Sequence, residues 1–368
     1  MILSRKRPTF LRFVLCLFIG LLLSAGFLMT VQQFYQQFLE KSALREPFFI
    51  LACISALIIA LLMVFPANKP MRLVKWFWRF VIMAVLVALV WGAGSLYIAQ
   101  NDVLFMPGRR EVNAEAALKE NHMVEEVTLS GPENAAYHGY FWKAAPAKAG
   151  LFLYFGGNGE LAAGRVYTLL RDDAASVIAG YHFMMVDYPG YGQSTGEPTE
   201  ESVFSMARAA LDYALAREDV DPQRLVIAGW SLGTGPASML ASETNPTGLI
   251  LMAPYSSGTE LVNTYLKSQF NLGTGIFSRV PSFLVRNKFP NDSFARITPS
   301  KALIIGGKTD TIIPYEQAQR LAGLYTNGQF LLLEGGHGSV WTETQSLEAI
   351  TAFLQEISTA GQLVTVGP

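Results

Sequence analysis

The chain has 368 residues, of which 51% are hydrophobic and 15% charged, and its formal net charge is −1 at pH 7. That hydrophobic fraction is high for a purely soluble protein, and the near-neutral charge balance does not suggest the clustered positive charge that nucleic-acid partners require. The two cysteines, Cys16 and Cys53, leave none for a disulfide or thiolate site further along, and four scattered histidines do not predict a metal centre.

The apolar excess lies at the start of the chain. Residues 13–31, 48–66 and 80–101 are uncharged runs of about the 20 residues that cross a hydrocarbon core. They predict a membrane domain, residues 1–101, with three transmembrane helices. Two alternatives remain open: the first run is a cleaved signal peptide with Ser24-Ala25-Gly26 as the cut site, or one run is a buried helix of a soluble domain.

Basic residues orient these segments. They cluster before the first run and between the second and third runs, at Arg5, Lys6, Arg7, Arg12, Lys69, Arg72, Lys75 and Arg79. The positive-inside rule therefore predicts a multi-pass protein of the inner or plasma membrane, with a cytoplasmic N-terminus and residues 102–368 on the other side. That second domain has 18 basic and 27 acidic residues, a net charge of −9, which gives no reason to expect a nucleic-acid partner.

From residue 124 onward, apolar runs alternate with longer stretches of helical periodicity. This alternation predicts an α/β domain with a mostly parallel eight-stranded sheet and helices on both faces. Strands are predicted over residues 124–129, 136–142, 151–155, 183–186, 225–228, 249–252, 302–305 and 330–333. The Gly-Pro-Glu-Asn turn between the first two predicts an antiparallel hairpin, and helices are predicted over 201–217 and 315–325.

Two serines satisfy the G-x-S-x-G pattern of a nucleophile on a tight turn. Ser194 lies in a Gly/Pro loop, where Thr199 is the better helix cap. Ser231 directly follows a strand and precedes a helix, which is the setting that the motif requires. Ser231 is therefore the predicted nucleophile, and Gly229, Trp230 and Gly233 complete its elbow, where residues without side chains allow the backbone to approach closely.

A serine hydroxyl needs a base, and a carboxylate must orient that base. His337 follows the last strand, at the same carboxyl edge as Ser231, whereas the other histidines lie before or within strands. Asp310 follows the seventh strand, and the order Ser, Asp, His is the one this architecture uses. Asp187 and Glu260 also follow strands and remain alternative acids.

Catalysis also needs donors for the oxyanion. The backbone N–H of Leu232, directly after the nucleophile, is the first predicted donor. The second is placed at Asn158, in the glycine-rich loop Phe155-Gly156-Gly157-Asn158-Gly159 after the third strand.

The sequence resembles the alpha/beta-hydrolase superfamily in these segments and in three others. The three are the run Asp187-Tyr188-Pro189-Gly190-Tyr191-Gly192, the Gly-x-x-Asp segment that ends at Asp310 and the Gly-Gly-His segment that ends at His337. The similarity spans most of residues 100–360 and is greatest to membrane-anchored serine hydrolases related to serine aminopeptidases and acylglycerol lipases. It implies a Ser231, Asp310, His337 triad, with Leu232 and Asn158 as oxyanion hole. The chain departs from the family pattern at Gly156, Gly306 and Pro189, where the family usually has His, His and Arg.

The segment 256–300, between the sixth and seventh predicted strands, is too long for an ordinary loop. Its length predicts a cap over the site. Its apolar clusters suit a small-molecule or lipid-like acyl substrate, while Tyr255 and Gly157 are candidate pocket residues. The sequence therefore predicts a membrane-tethered serine hydrolase that cleaves ester or thioester bonds through an acyl-enzyme, without a metal or organic cofactor. A peptidase or amidase of the same fold and a non-catalytic receptor or scaffold remain alternatives.

Overall fold

A computed structural model of the protein describes residues 54–55, 72–143, 148–171, 173–270 and 279–363. The chain divides into two compact units, Met1–Gln100 and Asn101–Pro368. Of the predicted membrane segments, 13–31 and nearly all of 48–66 lie outside the described residues, and 80–101 lies within helix α1, Arg72–Leu104. Within the described part of the chain, no helix combines the length and apolar character of a membrane span.

The second unit is built on one eight-stranded sheet, as predicted. The strands are β1 Val124–Ser130, β2 Ala136–Trp142, β3 Ala149–Phe155, β4 Tyr181–Val186, β5 Val220–Trp230, β6 Gly248–Met252, β7 Lys301–Gly307 and β8 Asn327–Leu333. Their order is β1-β2-β4-β3-β5-β6-β7-β8. β1 and β2 form the predicted antiparallel hairpin, β2 pairs antiparallel with β4, and the remaining pairs are parallel.

The central strands are apolar along their whole length because helices cover both faces of the sheet. β3, β4 and β6 are buried at every position. The helices of this unit are α2 Val112–Lys119, α3 Ala162–Leu169, α4 Glu200–Leu215, α5 Thr234–Thr244, α6 Gly258–Phe270, α7 Asn291–Ile297, α8 Tyr315–Ala322 and α9 Thr344–Leu363. α4 begins after Thr199, whose side chain accepts a hydrogen bond from Ser202 N and so caps the helix as predicted.

The predicted cap occupies the connection between β6 and β7. Its described parts are α6, a short 3-10 turn at Ser282–Leu284, and α7. The sequence places one apolar cluster of the cap at Ile276, Phe277, Val280, Phe283, Leu284 and Val285, and its members within 271–278 lie outside the described residues. Within that cluster Val285 is buried, whereas Phe283 is 75% exposed.

All parallel strands end at the same edge of the sheet, and the loops that follow β3, β5, β7 and β8 meet there. Those four loops carry Asn158, Ser231, Asp310 and His337. The topology thus gathers residues from distant parts of the chain at one edge.

Candidate active site

Ser231 lies on a strained turn between β5 and α5. Its φ is +51°, a left-handed conformation that is rare for a residue other than glycine. The flanking glycines are required by close backbone approach, because a Cβ on Gly229 would lie 2.3 Å from the oxygen of Gly233. A Cβ on Gly233 would lie still closer to the backbone of Phe155. The turn therefore fixes the serine hydroxyl at the carboxyl edge of the sheet.

The structure brings the three predicted triad side chains into one hydrogen-bonded chain. His337 Nε2 lies 2.9 Å from Ser231 Oγ, and His337 Nδ1 lies 2.7 Å from Asp310 Oδ2. The Asp310 side chain is fully buried and the His337 side chain is 15% exposed. An imidazole held in this way accepts a proton from the serine at Nε2 while its Nδ1–H donates to the carboxylate.

Asp310 is itself rigidly held. Its second oxygen, Oδ1, accepts hydrogen bonds from the backbone N–H groups of Ile312 at 2.8 Å and Ile313 at 2.9 Å. Both oxygens are thus fixed before a proton moves, and the carboxylate can stabilise a positive imidazole at Nδ1.

The alternative acids lie elsewhere. Asp187 is buried, and its Oδ1 accepts from the backbone N–H of Ala162, the first residue of α3, at 2.7 Å. Burial raises the pKa of Asp187 to about 6. Glu260 lies in the first turn of α6. Asp310, and not Asp187 or Glu260, is the carboxylate that is hydrogen-bonded to His337.

Ser194, the competing serine, is a structural residue. It is buried, its Oγ donates to the carbonyl of Asp187 at 2.8 Å, and the same oxygen accepts from the N–H of His138 at 2.9 Å. The hydroxyl therefore ties the loop after β4 to β2, so the pattern match at Ser194 reflects loop packing.

The two predicted oxyanion donors lie on different turns. Leu232 is the second residue of the 3-10 turn Ser231–Gly233, and the first N–H groups of a helical turn have no acceptor within it. Residues 157–160 form a β-turn closed by Glu160 N donating to the oxygen of Gly157 at 3.1 Å, with Gly159 at φ +81°. In such a turn the N–H of the second residue, Asn158, is not used by the closing hydrogen bond.

The side chain of Asn158 is engaged elsewhere. Its Oδ1 accepts from Met106 N at 2.9 Å and from the Tyr191 hydroxyl at 2.7 Å, and its Nδ2 donates to the oxygen of Leu104 at 2.8 Å. The donor that Asn158 offers at the site is therefore its backbone N–H.

Trp230 and Gly157 form a packed unit beside the histidine. Trp230 Nε1 donates to the oxygen of His337 at 3.2 Å, and the two rings lie 5.7 Å apart. Gly157 is buried against the indole, because a Cβ there would lie 2.7 Å from Trp230 Cε3. Trp230 thus holds the loop after β8, which carries His337, against residues 156–160 after β3, here called the oxyanion loop.

The pocket prediction for Tyr255 is not what the structure shows. Tyr255 is fully buried in the main hydrophobic core, its ring packs edge-on to Phe289, and its hydroxyl donates to the oxygen of Leu232 at 3.3 Å. Its position after β6 suited a pocket wall, but its side chain turns inward and supports the nucleophile elbow from the core.

A polar network beneath the oxyanion loop was not predicted. Glu160 Oε2 accepts from Gly157 N at 2.8 Å and from the Tyr154 hydroxyl at 2.9 Å, and Glu160 Oε1 pairs with Arg165. Arg165 stacks 4.6 Å from the ring of Trp341, whose Nε1 donates to the Tyr154 hydroxyl at 3.1 Å. Burial raises the pKa of Tyr154 well above its ordinary value, so the phenol stays protonated.

A second support contacts the same loop at Gly156. The buried hydroxyl of Tyr188 donates to the oxygen of Gly156 at 2.7 Å. The oxyanion loop is therefore held from the loop after β4, from Glu160 and by the side chain of Asn158. Among the described residues, no three His, Cys, Asp or Glu side chains are grouped to hold one metal ion.

Comparison with known proteins agrees with this architecture. A family model for the alpha/beta hydrolase fold matches residues 155–283. An uncharacterized protein of Mycobacterium tuberculosis is 29% identical over 188 residues, which cover 50% of this chain and 63% of that protein. The chain thus spans less than two thirds of that relative's length.

Two further likenesses cover more of the chain. The alpha/beta hydrolase domain-containing protein WAV2 of Arabidopsis thaliana is 27% identical over 249 residues, 62% of this chain and 78% of that protein. The solved structure of a Pyrococcus furiosus esterase matches with a TM-score of 0.52 at 15% identity, covering 68% of this chain and 97% of the esterase. The second unit of this chain is thus similar to alpha/beta hydrolases in its fold, in the family-model match over residues 155–283 and in these relatives.

Proposed function

We propose that this protein is a membrane-tethered serine hydrolase that cleaves carboxylic ester or thioester bonds through an acyl-enzyme. The observation that carries the proposal is the hydrogen-bonded chain from Ser231 Oγ through His337 to the buried carboxylate of Asp310. The left-handed backbone of Ser231 supports it, because strain of this kind is concentrated at functional sites.

The reaction follows from these positions. Ser231 Oγ attacks the carbonyl carbon of the substrate while His337 Nε2 takes the hydroxyl proton, giving a tetrahedral intermediate. The backbone N–H groups of Leu232 and Asn158 stabilise its negative oxygen. Collapse breaks the bond to the leaving alcohol or thiol, which receives the proton from His337, and leaves the acyl group on Ser231.

Water then completes the cycle. His337 Nε2 takes a proton from the water molecule as its oxygen attacks the acyl-enzyme, and a second tetrahedral intermediate forms at the same oxyanion site. Its collapse returns the proton to Ser231 Oγ and releases a carboxylic acid. Asp310 keeps the imidazole in one tautomer throughout, because its Oδ2 accepts from Nδ1.

An apolar substrate group fits the cap. The connection between β6 and β7 carries the exposed side chain of Phe283 and the partly buried Leu284 and Val262. Side chains of this kind favour an acyl chain over a polar group, because burying apolar surface is favourable at about 25 cal/mol per Å².

The membrane tether rests on the sequence. Three uncharged runs of about 20 residues and the basic residues that flank them favour a multi-pass anchor with the second unit outside the cytoplasm. Large apolar side chains of α1, namely Ile82, Val85, Leu86 and Leu89, are exposed, as expected for a helix that contacts lipid.

The test is hydrolysis by the detergent-solubilised full chain of p-nitrophenyl esters and thioesters of increasing acyl length, beside aminoacyl amides. We expect ester and thioester turnover that disappears in Ser231→Ala, while Ser242→Ala, a substitution on the far turn of α5, serves as the matched control. Turnover of amides in preference to esters would favour the peptidase alternative. A folded wild type that hydrolyses neither class would contradict the proposal and favour a scaffold.

A further inference from the structure

Residues 101–108, here called the exit strap, lie directly against the oxyanion loop. They comprise the last turn of α1 and the four residues that follow it. The contact is made through Asn158, which accepts from Met106 N and donates to the oxygen of Leu104. One side chain thus binds the strap on both sides of Phe105.

The strap is fixed at other points as well. Phe105 is 2% exposed and belongs to the main core, where it packs edge-on to Phe289 of the cap segment. Asn101 accepts from the side-chain amide of Asn287 at 2.7 Å. These contacts anchor the strap to the core and cap independently of Asn158.

The backbones of strap and loop are also in close approach. A Cβ on Gly108 would lie 2.6 Å from the oxygen of Gly159 and 3.1 Å from the side chain of Leu161. Gly192 N donates to the oxygen of Gly108 at 3.4 Å. Only a residue without a side chain allows this fit at position 108.

The contacts of the strap influence the direction of the Asn158 backbone N–H, because Asn158 lies in a tight turn. Asn158 is the second residue of the β-turn 157–160, and Gly159 beside it is exposed. Rotation of the peptide plane at Asn158 would redirect its N–H away from the substrate. Its side chain resists such rotation because it has three partners, two of which belong to the strap.

We propose that the exit strap and the side chain of Asn158 act together as a positioning device for the oxyanion site, so that turnover depends on the strap remaining seated. The inference rests on the proposed hydrolase function and adds a dependence that the triad alone does not require. In this arrangement, residues 101–108 contribute to the order of the active site. Displacement of the strap lowers kcat, because Leu104 and Met106 are two of the three partners that hold the Asn158 side chain.

Two variants of the full chain test this proposal, one in the oxyanion loop and one in the strap. Asn158→Ala removes all three side-chain hydrogen bonds and keeps the backbone N–H. Gly108→Ala leaves Asn158 intact but forces the strap away from Gly159. The matched controls are Asn121→Ala, which removes a side-chain oxygen that accepts from Met123 N, and Gly323→Ala, where the added Cβ makes only ordinary contacts.

The readouts separate positioning from folding. Loss of an oxyanion donor costs about 100-fold or more in kcat, and a displacement of about 1 Å costs a similar factor. We expect kcat for ester hydrolysis to fall by about 100-fold in Asn158→Ala and by about 10-fold or more in Gly108→Ala, with KM nearly unchanged. Affinity for a trifluoromethyl ketone, which forms an oxyanion on the serine, should fall in parallel, and amide hydrogen exchange in residues 156–161 should accelerate.

Unchanged kcat and unchanged exchange in folded Gly108→Ala and Asn158→Ala, with an active wild type, would overturn the strap proposal alone. An equal fall of kcat in both controls would also overturn it, because the effect would then be one of general stability. A wild type whose hydrolysis does not depend on Ser231 would overturn the proposed function, and the strap proposal with it.

Discussion

Replacing Asp310 by asparagine keeps the size of the side chain but changes which atoms accept hydrogen bonds. The carboxylate accepts three, from His337 Nδ1 and from the backbone N–H groups of Ile312 and Ile313. An amide has only one oxygen. If that oxygen stays with the two backbone groups, the NH2 group faces His337 and forces Nδ1 to become the acceptor.

The imidazole then carries its proton on Nε2, pointing at Ser231 Oγ, and cannot act as the base. The loss of the correct tautomer in a Ser-His-Asp triad costs about 10⁴ in kcat, which corresponds to about 5.4 kcal/mol of transition-state stabilisation. The side chain of Asp310 is fully buried, so solvent does not relieve the mismatch. We therefore expect Asp310→Asn to lose about 10³- to 10⁴-fold in kcat with a nearly unchanged KM.

The assay is steady-state ester hydrolysis by the solubilised full chain, with thermal unfolding to show that the variant is folded. Glu260→Gln, which alters an acid not bonded to His337, is the matched control and should retain wild-type kcat. A folded Asp310→Asn within about tenfold of wild type would refute the reasoning, since that is far less than a wrong tautomer costs. A large loss in Glu260→Gln instead would assign the orienting role to that residue.

Further substitutions test other parts of the account. Ser194→Ala should cost about 1–3 kcal/mol in the free energy of unfolding, because it orphans the buried N–H of His138, and should leave kcat unchanged; loss of turnover in a folded variant would contradict this. Gly157→Ala should push the Trp230 ring away from His337 and lower kcat by about tenfold or more in a folded protein. An unchanged kcat would contradict the role given to the contact between Gly157 and Trp230. Asp187→Asn tests the pH dependence of stability in denaturant titrations. Burial raises the pKa of Asp187 to about 6, whereas the pKa in the unfolded chain is about 3.9. The native state therefore binds the proton more tightly, and the free energy of unfolding of the wild type falls as pH rises from about 4 to 6. The variant lacks this slope and should gain about 3 kcal/mol relative to wild type across that range; parallel curves would show that Asp187 is not perturbed.

The positions of the strands could be predicted because their core-facing segments are continuous apolar runs. The full extents of most strands could not, and the starts of β5 and β8 differ most from the prediction. β5 begins at Val220, before Asp221, Pro222, Gln223 and Arg224, because Val220 pairs with Ala149 of β3. β8 begins at the exposed Asn327, which pairs with Lys301 of β7. Pairing partners supplied by the tertiary structure extend these strands beyond their hydrophobic pattern.

The sequence also predicted which loops meet, because parallel strands end at one edge and the G-x-S-x-G motif needs a strand-turn-helix setting. The hydrogen bonds of His337 to Ser231 and Asp310 agree with that arrangement. The catalytic roles of these residues remain a prediction until activity is measured.

Supports that join distant segments left no local signal. Met106 and Asn158 are 52 residues apart, and Tyr154 and Trp341 are 187 apart. No periodicity or motif connects such pairs, so neither the exit strap nor the network beneath the oxyanion loop could be predicted. Tyr255 shows the converse, because a residue just after a strand can face the core or the site, and spacing alone does not decide which.

The most direct measurement is to identify the serine that reacts with a fluorophosphonate. Tryptic digestion separates the candidates, since Ser231 lies in peptide 225–267 and Ser194 in peptide 172–208. We predict a covalent phosphonyl adduct on Ser231, abolished in His337→Ala, with peptide 172–208 unmodified. An adduct on Ser194, or none on a folded wild-type protein that is fully exposed to the reagent, would contradict the central claim that this edge of the sheet activates Ser231.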